Sequence, residues 1–407
     1  MTDTTSRDDS RLIRRLILLT IAIAIALPVT WLGMELVGIK QTQIARNQLE
    51  ERGCHLSDNF ERKPGDHLLA KLLYYCGVSV PYPIGEIDAR GSGLTDADLV
   101  WVEGLDQLGT LNLQGTSVTD AGLDRLAGLS ELESLTLEGT PVSDAGMPKL
   151  ELLGRLQILD LGRTGVTDAG IAHLDKLKRL FWLCLDNTPI TDAALAHLSR
   201  MGKTPSGPGL LFLKLESTHV TDAGLKSLAS LSELGSLRLD DTEVTDAGME
   251  SIGKLSKLRG LSLAGTSLTD AGLEHLQHLT DLFRLELCAT GVTDAGLKHL
   301  RGMTNLEELR LARTPVADAG LANLAGLPKL TNLSLNNTQI TDAGMLHVAK
   351  IPNLELLSLG ETQITDAGLA PLAKLKSLKH IDLYDTLVTA AGIAKLKRAL
   401  PDLEINH

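Results

Sequence analysis

The stretch LGTLNLQGTSVTDAGLDRLAGLSE, residues 108–131, decides the fold. Leu111 and Leu113 alternate with polar residues, as in a short strand with one buried face. Leu123, Leu126 and Leu129 follow at three-residue steps, which line one face of a short helix. The next 24 residues, from Leu132, repeat the pattern. Working outward, the phrase Thr119-Asp120-Ala121-Gly122-Leu123 recurs from Thr167, Thr221, Thr245, Thr269, Thr293, Thr341 and Thr365 with only its last residue varying. Degenerate copies begin at Thr95, Ser143, Thr191, Ala317 and Thr389. Consecutive copies are 24 residues apart, except that 30 residues separate Thr191 from Thr221. The extra length falls at 203–208, Lys203-Thr204-Pro205-Ser206-Gly207-Pro208.

Each unit therefore reads as strand, turn, helix and return loop. One unit cannot bury its leucines alone, but stacked units bury them in a continuous core. The expected architecture is an α/β solenoid, a right-handed horseshoe whose parallel strands line the concave side and whose helices lie outside. About 14 strands spaced roughly 4.8 Å apart would give a sheet about 60 Å long. A chain of 407 residues, only 3% aromatic, suits such an elongated core better than one ordinary globule.

The pattern L-x-x-L-x-L-x-x-T-x-V/I, as at Leu108, Leu111, Leu113, Thr116 and Val118, followed by T-D-A-G-L, resembles the leucine-rich repeat family. The 24-residue unit is most similar to the ribonuclease-inhibitor-like class, including the cysteine-containing repeats of F-box adaptors and the repeats of some bacterial effectors. The resemblance covers residues 84–407. It implies a binding scaffold without catalysis, whose partner is a protein or peptide on the concave face. Thr116, Thr140 and Thr164 stand where most members of the family carry Asn or Cys.

The repeated aspartates account for the chain's acidity. Twelve phrases carry that Asp, and without them the formal net charge of −12 would be zero. Thr119 or Asp120 is expected to cap its helix, and the following Gly to permit close packing between units. The charge disfavours nucleic acid as a partner. Histidines recur six residues into the units, as at His173 and His275, but read as polar positions on the outer helix face. No catalytic, metal or cofactor site is expected.

Variable positions flanking each L-x-L are the candidate binding surface. One column is mostly polar but places Ile158, Trp182 and Phe212 on three successive strands, with Asp160, Lys214 and Arg238 beside them. An apolar patch with a charged rim is a common form of binding hot spot. Two readings stay open: the patch meets a partner, or the 203–208 insertion covers it. A thiol-dependent enzyme using Cys184 is the competing function.

Residues 16–39 have the length and apolarity of a transmembrane signal anchor. Arg7, Arg11, Arg14 and Arg15 precede it in the tail 1–15, which predicts a cytoplasmic N-terminus and an extracytoplasmic repeat domain. Cleavage after the small-x-small run at Ala24–Ala26, giving a secreted adaptor or effector, is the alternative. Residues 40–83 would be a linker and N-terminal cap, with a helix over Asp66–Tyr75. Cys54 and Cys76 are the disulfide candidates there. Cys184 and Cys288, four repeats apart, are too distant to bridge.

Overall fold

A computed structural model describes residues 40–58, 84–202 and 207–407. These residues form an α/β solenoid around one sheet, whose fifteen strands run in sequence order. The strands are β1 (His55–Asp58), β2 (Ile84–Asp88), β3 (Thr110–Asn112), β4 (Ser134–Thr136), β5 (Ile158–Asp160), β6 (Trp182–Cys184) and β7 (Phe212–Lys214). They continue as β8 (Ser236–Arg238), β9 (Gly260–Ser262), β10 (Arg284–Glu286), β11 (Glu308–Arg310), β12 (Asn332–Ser334), β13 (Leu356–Ser358), β14 (His380–Asp382) and β15 (Glu404–Asn406). From β2 onward all pairings are parallel and in register, so equivalent residues of successive units stand side by side. The middle residue of each strand points into the core, as Leu183, Leu213 and Leu237 do. Its two neighbours face the opposite side. The leucines of all units merge into one apolar cluster.

Two devices turn each strand toward its helix. The residue before the conserved Thr adopts a left-handed backbone in every unit, whether it is Gly115 or a side-chain-bearing residue such as Asn187, Ala289 or Arg313, with φ of 54–66° at these four positions. The Thr hydroxyl is buried and donates to the carbonyl three residues back, as from Thr188 to Leu185 at 2.5 Å and from Thr290 to Leu287 at 2.7 Å. That bond satisfies a hydroxyl that burial would otherwise penalise.

The helices themselves are short. Asp192–Leu198, Asp222–Leu228 and Asp246–Ile252 are α-helical, whereas Gly122–Leu126 and Gly296–Leu300 are 3₁₀ turns. Thr is the cap: its hydroxyl oxygen accepts from the amide two residues on, as from Ala223 to Thr221 at 3.2 Å. The aspartate does something else, which corrects the capping role expected for it. Each of the twelve reaches into the next unit and accepts that unit's capping backbone N–H. In eleven cases it also accepts the capping Ser or Thr hydroxyl, as from Thr293 to Asp270 at 2.6 Å. At Ala317 there is no hydroxyl and only the N–H bond to Asp294 remains, at 2.7 Å.

This ladder explains the phrase's exceptions. A Cβ on Gly296 would collide with Oδ1 of Asp270, so glycine is the undemanding choice there. The unit at Thr95 has no preceding phrase, and Asp98 occupies the glycine position. Its carboxylate accepts from the Thr95 N–H at 3.0 Å and hydroxyl at 2.8 Å, supplying from within what other units receive from a neighbour. In the phrase at Thr389, Ala390 stands in place of Asp. The second glycine exception, Ala194, donates its N–H to Asp168 at 3.1 Å, so one Cβ is accommodated at that junction. The ladder also crosses the insertion: Asp192 still accepts from Thr221, although 29 residues separate them.

A helix over residues 40–51 and β1, which runs antiparallel to β2, close the first unit. Ala45 and Leu49 are buried in the core, and Arg52 pairs with Asp98 at 2.7 Å. The cap helix expected over residues 66–75 lies outside the described residues. So does the segment 16–39. Among the described residues no helix is long and apolar enough to cross a membrane. The expected single-pass location, N-terminus cytoplasmic and repeats extracytoplasmic, is therefore corrected: the described residues contain no spanning element to support it.

Candidate functional site

Parallel in-register pairing brings the sequence-derived residues together. Ile158 pairs with Trp182 and Trp182 with Phe212, so the three apolar side chains form a row on the open face of the sheet, opposite the helices. Two residues along each strand, Asp160 lies beside Cys184, Cys184 beside Lys214, and Lys214 beside Arg238. Leu159, Leu183 and Leu213 between the two rows are buried, which fixes the direction of their neighbours. Phe212 is 41% exposed, while Ile158 and Trp182 are half-buried.

The rings are held by side chains. The Lys214 ammonium stands 5.5 Å from the centroid of the Trp182 ring, within reach of a cation–π attraction. Phe181 meets Phe212 edge-on with centroids 6.5 Å apart. Phe181 and the half-buried Leu211 extend the patch along the upstream edge of β6 and β7, and the column reading misses both. The position before each strand carried the signal: it is Gly109, Glu133 and Gln157 in earlier units, then Phe181 and Leu211 in succession. Of the insertion, Gly207 lies so close to the loop before β6 that a Cβ there would meet the Lys178 carbonyl oxygen at 2.7 Å. Residues 203–206 lie outside the described residues.

The rim is acidic and unevenly paired. Arg238 stands 2.6 Å from Glu216, its Nε off the line of a hydrogen bond, and 3.1 Å from Asp240. Asp160 accepts from the Gly162 N–H at 2.9 Å and Asp186 from the Glu216 N–H at 2.8 Å. Neither is in an ion pair among the described residues, although the charge of Lys214 reaches Asp186. Burial, and then the charge of Asp186, raises the Glu216 carboxyl above its ordinary range; burial likewise raises that of Asp186.

Cys184 is buried and donates to Asp186 Oδ2 at 3.1 Å. Burial, with Asp160 and Asp186 adding repulsion, pushes its thiol far above the ordinary value. A nucleophilic cysteine needs the thiolate, and this environment opposes it. Among the described residues Cys54, Cys184 and Cys288 form no disulfide with one another. Cys76, the expected partner of Cys54, lies outside the described residues.

Further along the same face the charges cancel. Glu308 is 8% exposed and lies 2.6 Å from both Arg284 and Arg310, and Arg310 lies 3.7 Å from Glu286. Beyond this lattice a hollow of about 600 Å³ is lined by residues including Asn332, Ser334, Leu356, Ser358, His380 and Asp382.

Residues 326–349 and 350–373, two consecutive units, match the family model described as Leucine Rich repeat. The chain is similar in structure to an internalin from Listeria monocytogenes, with a TM-score of 0.61 and 23% identity over 79% of this chain and 86% of that one. It is also similar to a leucine-rich repeat protein from Leptospira interrogans, with a TM-score of 0.44 and 19% identity over 85% of this chain and 100% of that one. No curated protein matches the chain. The chain carries leucine-rich repeats, and its fold is a leucine-rich repeat solenoid.

Proposed function

We propose that the chain is a non-catalytic scaffold that binds a protein or peptide on the open, concave face of its sheet, with Ile158, Trp182 and Phe212 as the apolar centre and Asp160, Lys214 and Arg238 at its rim. The observation that carries this is the row of apolar side chains on three adjacent strands, one of them 41% exposed, bordered by charged residues two positions along the strands. Apolar surface left in water contributes nothing to folding, and its burial by a partner contributes about 25 cal/mol per Å² of apolar area before association costs. The suppressed thiol of Cys184 favours this reading over a thiol-dependent enzyme. The strand and short helix in each 24-residue unit favour the ribonuclease-inhibitor-like class.

The test compares proteins retained by the full chain with those retained by Trp182→Ala. A partner should bind the first and be lost from the second by at least about 2 kcal/mol, the usual hot-spot threshold. The unfolding midpoint should stay nearly constant. Loss of stability with undiminished binding would reject the site.

A further inference from the structure

We infer that the partner's docking segment carries a cation beside its apolar anchor: a lysine or arginine flanking an aromatic or aliphatic side chain. This deepens the proposed concave-face binding and rests on it. The argument comes from what any occupant of the patch must also cover. Asp160 lies two residues beyond Ile158 on β5, and Asp186 follows β6, so both carboxylates border the apolar row. Their charges repel each other, and neither has an ion-pair partner among the described residues. Lys214 holds its ammonium over the Trp182 ring, and Arg238 is shared by Glu216 and Asp240. Four carboxylates, Asp160, Asp186, Glu216 and Asp240, thus face two cations, leaving a local charge of −2.

Charge at the patch contrasts with β10 and β11. There Glu286 and Glu308 face Arg284 and Arg310, and the charges balance. A partner covering Trp182 and Phe212 removes water from Asp160 and Asp186. Desolvating unpaired carboxylates against an apolar surface is strongly unfavourable, and an acidic partner adds repulsion. A cation placed between the two carboxylates offsets both effects, and a guanidinium can donate hydrogen bonds to both of them.

The full-length protein is panned against a displayed library of random twelve-residue peptides, with the Trp182→Ala protein as counter-selection. Enriched peptides should carry Lys or Arg within a few residues of an aromatic or branched aliphatic residue. A synthetic representative should bind wild type at least tenfold more tightly than Asp160→Asn/Asp186→Asn, and its affinity should fall with added salt. The double variant should unfold no earlier than wild type, because it removes two repelling carboxylates. Trp182-dependent peptides that are uncharged or acidic, or that ignore the double variant, overturn the cationic partner and leave the docking face standing. Enrichment that never depends on Trp182 overturns the docking face itself.

Discussion

Replacing Gly296 with Ala probes the aspartate ladder where it is most exposed to contradiction. In the wild-type junction, Asp270 accepts from the Thr293 N–H at 2.8 Å and hydroxyl at 2.6 Å. The new methyl group would meet Asp270 Oδ1 first and Leu273 second, at 3.1 Å. Overpacking of this kind costs about 1–3 kcal/mol, and the helix propensity gained on leaving glycine returns about 0.5–1 kcal/mol. The net loss should be about 1–2 kcal/mol; Ala194, tolerated beside Asp168, argues for the lower end. Asp270→Ala removes two bonds to a charged acceptor at a partly buried junction. At about 1.5–3 kcal/mol each, and with water replacing part of the interaction, the loss should be about 2 kcal/mol. In the double variant the clash is absent, so the alanine at 296 becomes neutral or stabilising. The cycle should therefore show a coupling of about 1–3 kcal/mol, measured by urea denaturation followed by circular dichroism. Effects that add to within about 0.3 kcal/mol would mean that the two residues do not meet, and the ladder would lose its account of the glycines.

Leu237, fully buried in β8, should cost about 2–5 kcal/mol on replacement by Ala, whereas exposed Lys226 should cost under about 0.5 kcal/mol; similar denaturation midpoints for the two would contradict the strand register. Ala289→Gly relieves a left-handed backbone at φ 54° and should raise the midpoint by roughly 0.5–1 kcal/mol, so a lowered midpoint would refute strain at that turn. Asp186 has a raised folded pKa, so its stabilising contribution is present at low pH and is lost as pH rises through that value. Asp186→Asn should accordingly be more stable than wild type at pH 7, with the gap closing as pH falls toward about 4, the ordinary Asp value. A gap that stays constant from pH 4 to 7 would remove the pKa argument.

The repeat is legible in the sequence because a 24-residue period projects three-dimensional neighbours onto equal spacings. Leu111, Leu135 and Leu159 announce one stacked column, and the structure pairs them directly. The same periodicity hides the task of the aspartates. Asp120 and Ser143 are 23 residues apart, and a helix start offers a nearer explanation for an acidic residue. The irregular unit at Thr95, where Asp98 takes the glycine position, was the available clue. At the candidate site Ile158, Trp182 and Phe212 were readable from strand alternation alone. Phe181 was not, because it lies just outside the three alternating positions and reaches the patch only through its contact with Phe212. The helix over residues 40–51 lies in a segment with no period to read, so the burial of Ala45 and Leu49 becomes visible only against the first unit.

The aspartate ladder also makes the chain directional, like a row of tiles with a tongue on one side and a groove on the other. Each 24-residue segment carries the acceptor for its successor and the donors for its predecessor, so a copied segment arrives with both halves of a joint. Such an array can lengthen by whole segments without inventing a new contact. Part of a segment is tolerated only where the joint does not count residues. The six extra residues at 203–208 lie between a helix and the next strand, and Asp192 grips Thr221 as if they were absent. Length can therefore change in a loop between helix and strand, as it has before β7, without disturbing the joints between segments.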